Sequence, residues 1–179
     1  SELLNGGAIG IDDVKKDLST ATGQLIDEIN AQRQLLAAEN GELQVVMTGI
    51  SSMRLLKSVA GTYSKHEIAM NKKIEVDPSS PDFEFHNDET LLFRVLGNLL
   101  KNALEASKFN QTVVIGCGKD DNGYFFWTKN SAVLPGNVKL QIFQRSFSTK
   151  GTGRGIGTYS IKLLTEQYLK GKVSFISGP

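Results

Sequence analysis

From Ile11 to about Glu39 the chain keeps one helical period unbroken, and nowhere later does a period run so far. Ile11, Val14, Leu18, Ala21, Leu25, Ile29, Gln32 and Leu36 recur at three-four spacing, while Asp12, Asp13, Lys15, Lys16, Asp17 and Glu28 occupy other faces. At 1.5 Å per residue this is a rod of roughly 43 Å, long for a helix inside a small domain. A single apolar stripe on such a rod calls for a helical partner in a bundle or coiled coil; packing on its own domain is the alternative. Asn40-Gly41 supplies the stop.

After Gly41 the texture changes to short alternating segments. Leu43–Met47 reads as a strand, and Ser51 as the cap of a helix carrying Met53, Leu55, Leu56, Val59, Ala60 and Tyr63. Lys73–Val76 and Phe83–Phe85 read as strands around a Pro78–Pro81 turn. Asp88 caps a strong helix from Glu89 to Ser107. Thr112–Cys117 and Tyr124–Thr128 flank a hairpin turn at Asp120-Asp121-Asn122-Gly123. A short helix at Asn137–Gln144, a glycine-rich stretch, a helix to about Leu169 and a strand at Lys172–Phe175 complete the reading. The order predicts an α/β two-layer sandwich, a mixed sheet with helices on one face, preceded by the long N-terminal helix. The expected division is 1–41 and 42–179.

Composition narrows the function classes. At 179 residues the chain has room for one domain plus an attached helix. Twenty Lys and Arg against nineteen Asp and Glu leave a formal charge of +1, too little for non-specific attraction to nucleic acid or a membrane surface. Cys117 stands alone, so no internal disulfide closes, and with two histidines it makes no Cys/His zinc site. No apolar run approaches the ~18 residues of a membrane span, and Ser1-Glu2-Leu3-Leu4 has no basic or long apolar leader character. A cytoplasmic setting is expected.

Three segments carry chemistry. Asn98 and Asn102 stand four apart in the helix Glu89–Ser107, so they share one face, while Leu92, Val95, Leu96, Leu99, Leu100 and Leu104 supply the core side. Asparagine is a mediocre helix former, and two stacked amides in an apolar helix suggest a polar ligand; locally bonded surface amides are the alternative. An amide oxygen suits Mg²⁺, which keeps waters and borrows phosphate oxygens. Gly151-Thr152-Gly153-Arg154-Gly155-Ile156-Gly157 opens the next helix. Alternate glycines allow close backbone approach, and a helix start offers free N–H groups to phosphate; a plain flexible loop is the other reading. Between the two, Gln141 to Lys150 sets Phe143 and Phe147 as anchors and Arg145 and Lys150 as phosphate-facing cations.

Together these segments resemble the ATP-binding catalytic domain of sensor histidine kinases, in the GHKL superfamily. Asn98–Ala103 is similar to the family's N box, Phe143–Phe147 to its F box, and Ser148–Gly157 to its lid and second glycine box. The resemblance covers about Leu43 to Pro179 and implies the Bergerat fold, ATP and Mg²⁺. It implies Asn102 as the metal ligand, with Asn98, Asn102 and Lys150 at the chemistry. Asn98, Asn102, Asn130, Arg145, Lys150, Gly151, Gly153, Arg154, Gly155 and Gly157 would hold the nucleotide. The first glycine box departs from Asp-x-Gly-x-Gly: Asn130 stands for the Asp, Ala132 for a Gly, and the segment is one residue short. Asn130 still accepts from an adenine amine, without charge. Arg154 replaces a usual Leu, and Glu105 a frequent Lys.

The family also needs an acceptor histidine on a dimeric hairpin. His66-Glu67-Ile68-Ala69-Met70-Asn71 matches that motif superficially but falls inside the ATP domain, too close to Asn98; His86 has no motif. The helix 11–39 is similar to the second hairpin helix, so the acceptor is expected upstream of Ser1, and the chain is read as a fragment. The implied function is transfer of the ATP γ-phosphoryl to that histidine. The implied partners are the parent kinase's hairpin, a second copy in a homodimer and a downstream response regulator. No nucleic acid and no direct membrane contact are expected, with the parent's membrane status open. The alternatives are a non-catalytic nucleotide-sensing or dimerisation module and another GHKL ATPase or serine kinase. Residues 144–157 are expected to be mobile without nucleotide.

Overall fold

The computed structural model describes residues 10–135, 138, 141–144 and 156–178. The chain divides into two compact units, Ser1–Glu42 and Leu43–Pro179. In the first, helix α1 (Ile11–Glu39) leaves Ile11, Val14, Leu18, Leu25 and Ile29 exposed. It ends in a Schellman turn: Glu42 N–H donates to the Ala37 carbonyl and Gly41 N–H to that of Ala38. Gly41 takes φ +74°, a conformation glycine reaches without strain.

The second unit begins with β1 (Thr48–Ser51) and α2 (Ser52–Ser64), joined where Ser51 Oγ accepts from Arg54 N–H at 3.2 Å. Then come β2 (Lys73–Val76), β3 (Glu84–Asn87), α3 (Glu89–Ala106), β4 (Thr112–Asp120), β5 (Gly123–Lys129) and α4 (Ile156–Leu163), which runs into a π-helical turn at Leu164–Tyr168. β1 and β3 form an antiparallel pair. β2, β4 and β5 form a mixed sheet, β2 parallel to β4 from Lys73↔Thr112 to Val76↔Ile115, and β5 antiparallel to β4 from Val114↔Lys129 to Asp120↔Gly123.

Alternation along β4 separates the two faces. Val113, Ile115 and Cys117 point into the core, against Leu55, Leu56 and Val59 of α2 and Leu92, Leu96, Leu100 and Leu104 of α3. Burial there pushes the Cys117 thiol above its ordinary pKa. On the other face Gly116 and Gly118 lie under the rings of Trp127 and Phe125, their cross-strand partners; a Cβ at either would fall 2.4 Å from the ring. Helices therefore cover one side of the sheet and β5 aromatics fill part of the other. Gly97 lets α2 approach α3, since a Cβ there would sit 2.8 Å from Tyr63 Oη.

Three expected elements come out differently. Leu43–Met47 forms no strand, and pairing starts only at Thr48. Its apolar Val46 and Met47 stay exposed, and Val46 N–H is taken by Asp88 Oδ2 at 2.8 Å rather than by a ladder. Lys172–Phe175 has strand composition but no ladder partner among the described residues; Ser177 Oγ instead accepts from Leu134 N–H at 2.9 Å. The helix expected at Asn137–Gln144 is described only in part. Val138, Gln141 and Gln144 each donate three residues back, to Pro135, Val138 and Gln141, which winds the chain in tight turns.

Candidate functional site

The site is built on α3. Its start is fixed by buried Asp88, whose Oδ1 accepts from Leu91 N–H at 2.8 Å while Oδ2 holds Val46. The apolar face of α3 is consumed by the core, so every fourth residue of the opposite face remains for polar work: Arg94, Asn98 and Asn102, all half-buried. Arg94 shares this face, one turn before Asn98, and was not singled out from the sequence. Burial lowers its guanidinium below the ordinary value, and Asp88 pulls it back up; it stays charged at neutral pH.

Asn102 lies under the first turn of α4. A Cβ at Gly157 would stand 3.6 Å from Asn102 Oδ1 and 3.8 Å from Nδ2, so a side chain there would fill the space above the amide. Asn102 Nδ2 is buried and has no hydrogen-bond partner among the described residues. Leaving a buried donor unpaired costs about 1–3 kcal/mol, a cost that an acceptor atom of a ligand would offset.

The last turn of α3 is heavily capped. The Ala103 carbonyl accepts from Ser107 Oγ at 2.7 Å and from Asn130 Nδ2 at 3.2 Å, and the Leu104 carbonyl from Lys72 Nζ at 2.8 Å. Asn130 follows directly on β5, and this bond ties it to the residue next to Asn102. The fold thus draws Asn102, Asn130 and Gly157 to one end of α3, with Asn98 one turn before. Arg145, Phe147, Lys150, Gly151, Gly153, Arg154 and Gly155, and the segment expected to be mobile, lie largely or wholly outside the described residues. Phe143 is described and packs on Phe175, ring centres 6.0 Å apart.

Neither histidine belongs to this site. His66 caps a short 3₁₀ turn (Glu67–Ala69), its Nδ1 accepting from Ile68 N–H at 3.2 Å, and stacks on Tyr63. His86 is exposed on β3 opposite Gly49.

Residues 87–179, from the edge of β3 through α3 and α4, match the family of histidine kinase-, DNA gyrase B- and HSP90-like ATPases. The chain belongs to that family. No curated protein sequence matches it. Among solved structures, histidine kinase AdeS of Acinetobacter baumannii superposes with a TM-score of 0.76 at 15% identity, over 96% of this chain and 81% of that one. The catalytic domain of histidine kinase ThkA gives 0.57 at 26% identity, over 68% and 82%. Full-length ShkA in complex with AMPPNP gives 0.73 at 20% identity, over 84% and 32%. ThkA has also been solved with its response regulator TrrA, a structure to which this chain is 22% identical with a TM-score of 0.60, over 78% and 42%. The fold is that of histidine kinase catalytic domains: a GHKL α/β sandwich of helices on a mixed sheet. Among the described residues no helix is long and apolar enough to cross a membrane.

Proposed function

We propose that residues 42–179 are the ATP-binding catalytic domain of a sensor histidine kinase, passing the ATP γ-phosphoryl to a histidine outside these 179 residues. The observation that carries this reading is the buried amide of Asn102 beneath Gly157 at the start of α4, whose Nδ2 has no hydrogen-bond partner among the described residues. The N–H of Nδ2 left over there is a donor that fits a phosphate oxygen, while Oδ1 of the same amide is the atom that fits a hard divalent cation. Asn102 would hold Mg²⁺, which when bound neutralises phosphate charge. The glycines from Gly151 to Gly157 and the N-terminal turn of α4 cradle the phosphates, with Arg145, Lys150 and Arg154 supplying positive charge. Asn130 receives the base. Asn98 stands where water-activating relatives carry a Glu. An amide takes no proton near neutral pH, which favours transfer to a docked side chain over hydrolysis.

The helix α1, with its exposed apolar stripe, fits the second helix of a dimerising hairpin in a homodimer. The ThkA complex supports a response regulator as the downstream partner. A cytoplasmic setting fits that role. One feature favours a second reading, a nucleotide-sensing module without transfer: the altered first glycine box, with Asn130 and Ala132 in place of its Asp and a Gly.

The test is to mix the chain with radiolabelled ATP, with and without a protein carrying an acceptor hairpin. Acid-labile label should appear on the hairpin and not on this chain. Label on this chain that disappears in His66→Ala would overturn the acceptor assignment. No label on either component would leave the sensing module as the better reading.

A further inference from the structure

Glu105 stands three residues after Asn102 in the last turn of α3, half-buried like Asn98 and Asn102. Residues three apart on a helix are neighbours, with Cβ atoms about 5–6 Å apart. Helical side chains lean toward the N-terminus, so a residue as long as Glu covers the turn before its own, here the turn that carries Asn102. Asn98 lies two turns before Glu105 on the same side of the helix. The stripe thus sets amide oxygens beside one carboxylate, the hard donors that Mg²⁺ takes. The carboxylate is also at the unfavourable end of its helix. A negative charge in a last turn opposes the helix dipole, and no basic residue of α3 stands in that turn to offset it. Ser107 Oγ, Asn130 Nδ2 and Lys72 Nζ go to the Ala103 and Leu104 carbonyls.

We propose that Glu105 is a second protein ligand, beside Asn102, to the divalent cation that accompanies the nucleotide. The inference rests on the nucleotide-binding reading above. Among the described residues no three His, Cys, Asp or Glu side chains gather to hold a metal by themselves. One amide, one carboxylate, phosphate oxygens and water form instead the kind of set that Mg²⁺ uses. Glu105 has an interaction elsewhere in the chain, and ligating carboxylates are ordinarily steadied by such outer contacts. A carboxylate beside a triphosphate is repelled unless a cation lies between them, so Glu105 makes nucleotide binding depend on metal. The competing role is an ion pair with Lys101, one turn earlier, or with Lys72 at the neighbouring carbonyl.

The measurement is titration of Mn²⁺, a cation of the same oxygen preference, into the full chain with a non-hydrolysable ATP analogue. It is read by analogue affinity and by an electron spin-echo count of D₂O on the bound ion. Glu105→Ala should need about three- to tenfold more Mn²⁺ for half-saturation and carry one more coordinated water than wild type, because solvent takes the position given up. Glu105→Gln keeps an oxygen at the same reach and should hold the wild-type count. In EDTA the sign reverses, and Glu105→Ala should bind the analogue more tightly than wild type. Asn102→Ala should lose the metal effect outright, because a lone carboxylate on a longer, unfixed side chain holds a cation poorly. An ion-pair role changes affinity through charge alone, so equal water counts in Glu105→Ala and wild type would overturn the inference. Unchanged metal dependence in Glu105→Ala, with the metal effect lost in Asn102→Ala, would overturn it too and leave the site reading standing. Failure of wild type to bind the analogue with or without Mn²⁺ would instead overturn the nucleotide reading itself.

Discussion

Asn102 and Asn130 are the same side chain in opposite situations. Asn102 keeps a buried Nδ2 without a partner among the described residues, near Gly157, whereas Asn130 spends an N–H on the end of α3. The sequence showed Asn102 as a candidate because two stacked amides in an apolar helix are unusual, and Asn130 only through its place in the family's first glycine box. It could not show that Asn130 also caps a helix, since that bond joins residues far apart in the chain. The glycines of β4 are a second residue-scale case. Gly116→Ala gains roughly 0.5–1 kcal/mol of backbone propensity. It also puts a Cβ 2.4 Å from Trp127 and 2.9 Å from Ser80 Oγ, which itself accepts from Cys117 N–H. Overpacking of that kind costs about 1–3 kcal/mol, so the variant should be less stable in urea melts. Adding Trp127→Val should recover part of the loss, and equal stability of Gly116→Ala and wild type would show the ring moving aside freely.

Among the elements, helices were the most legible. Ser51, Asp88 and Asn40-Gly41 mark their ends with local chemistry, and each marks a true boundary. Strands depend on a partner that local sequence does not name, so Leu43–Met47 and Lys172–Phe175 looked like strands and pair with nothing among the described residues. Asp88 shows how the non-local part enters. One carboxylate oxygen caps α3 as the sequence foretold, while the other holds Val46 N–H, 42 residues away. Asp88→Ala should therefore cost more than an ordinary cap, about 2–4 kcal/mol, because it also leaves Val46 unpaired. A pair of urea melts measures this. A loss below about 0.5 kcal/mol would mean that water replaces both bonds.

Across the whole molecule, the long stripe of α1 and the alternating segments after Gly41 led to an expected division into 1–41 and 42–179; the structure forms two compact units, Ser1–Glu42 and Leu43–Pro179. The superfamily was legible because several boxes fall in order along one chain, and residues 87–179 match it. The roles of the boxes are the central claim, and they meet at Asn102. The direct measurement is titration of a fluorescent ATP analogue into the chain and into Asn102→Ala, each with Mg²⁺ and with EDTA. Mg²⁺ should tighten binding by wild type about tenfold or more, equal to about 1.4 kcal/mol. Asn102→Ala should bind alike in Mg²⁺ and EDTA, at the level of wild type in EDTA. Retention of the Mg²⁺ effect by Asn102→Ala, or its absence in wild type, would contradict the account.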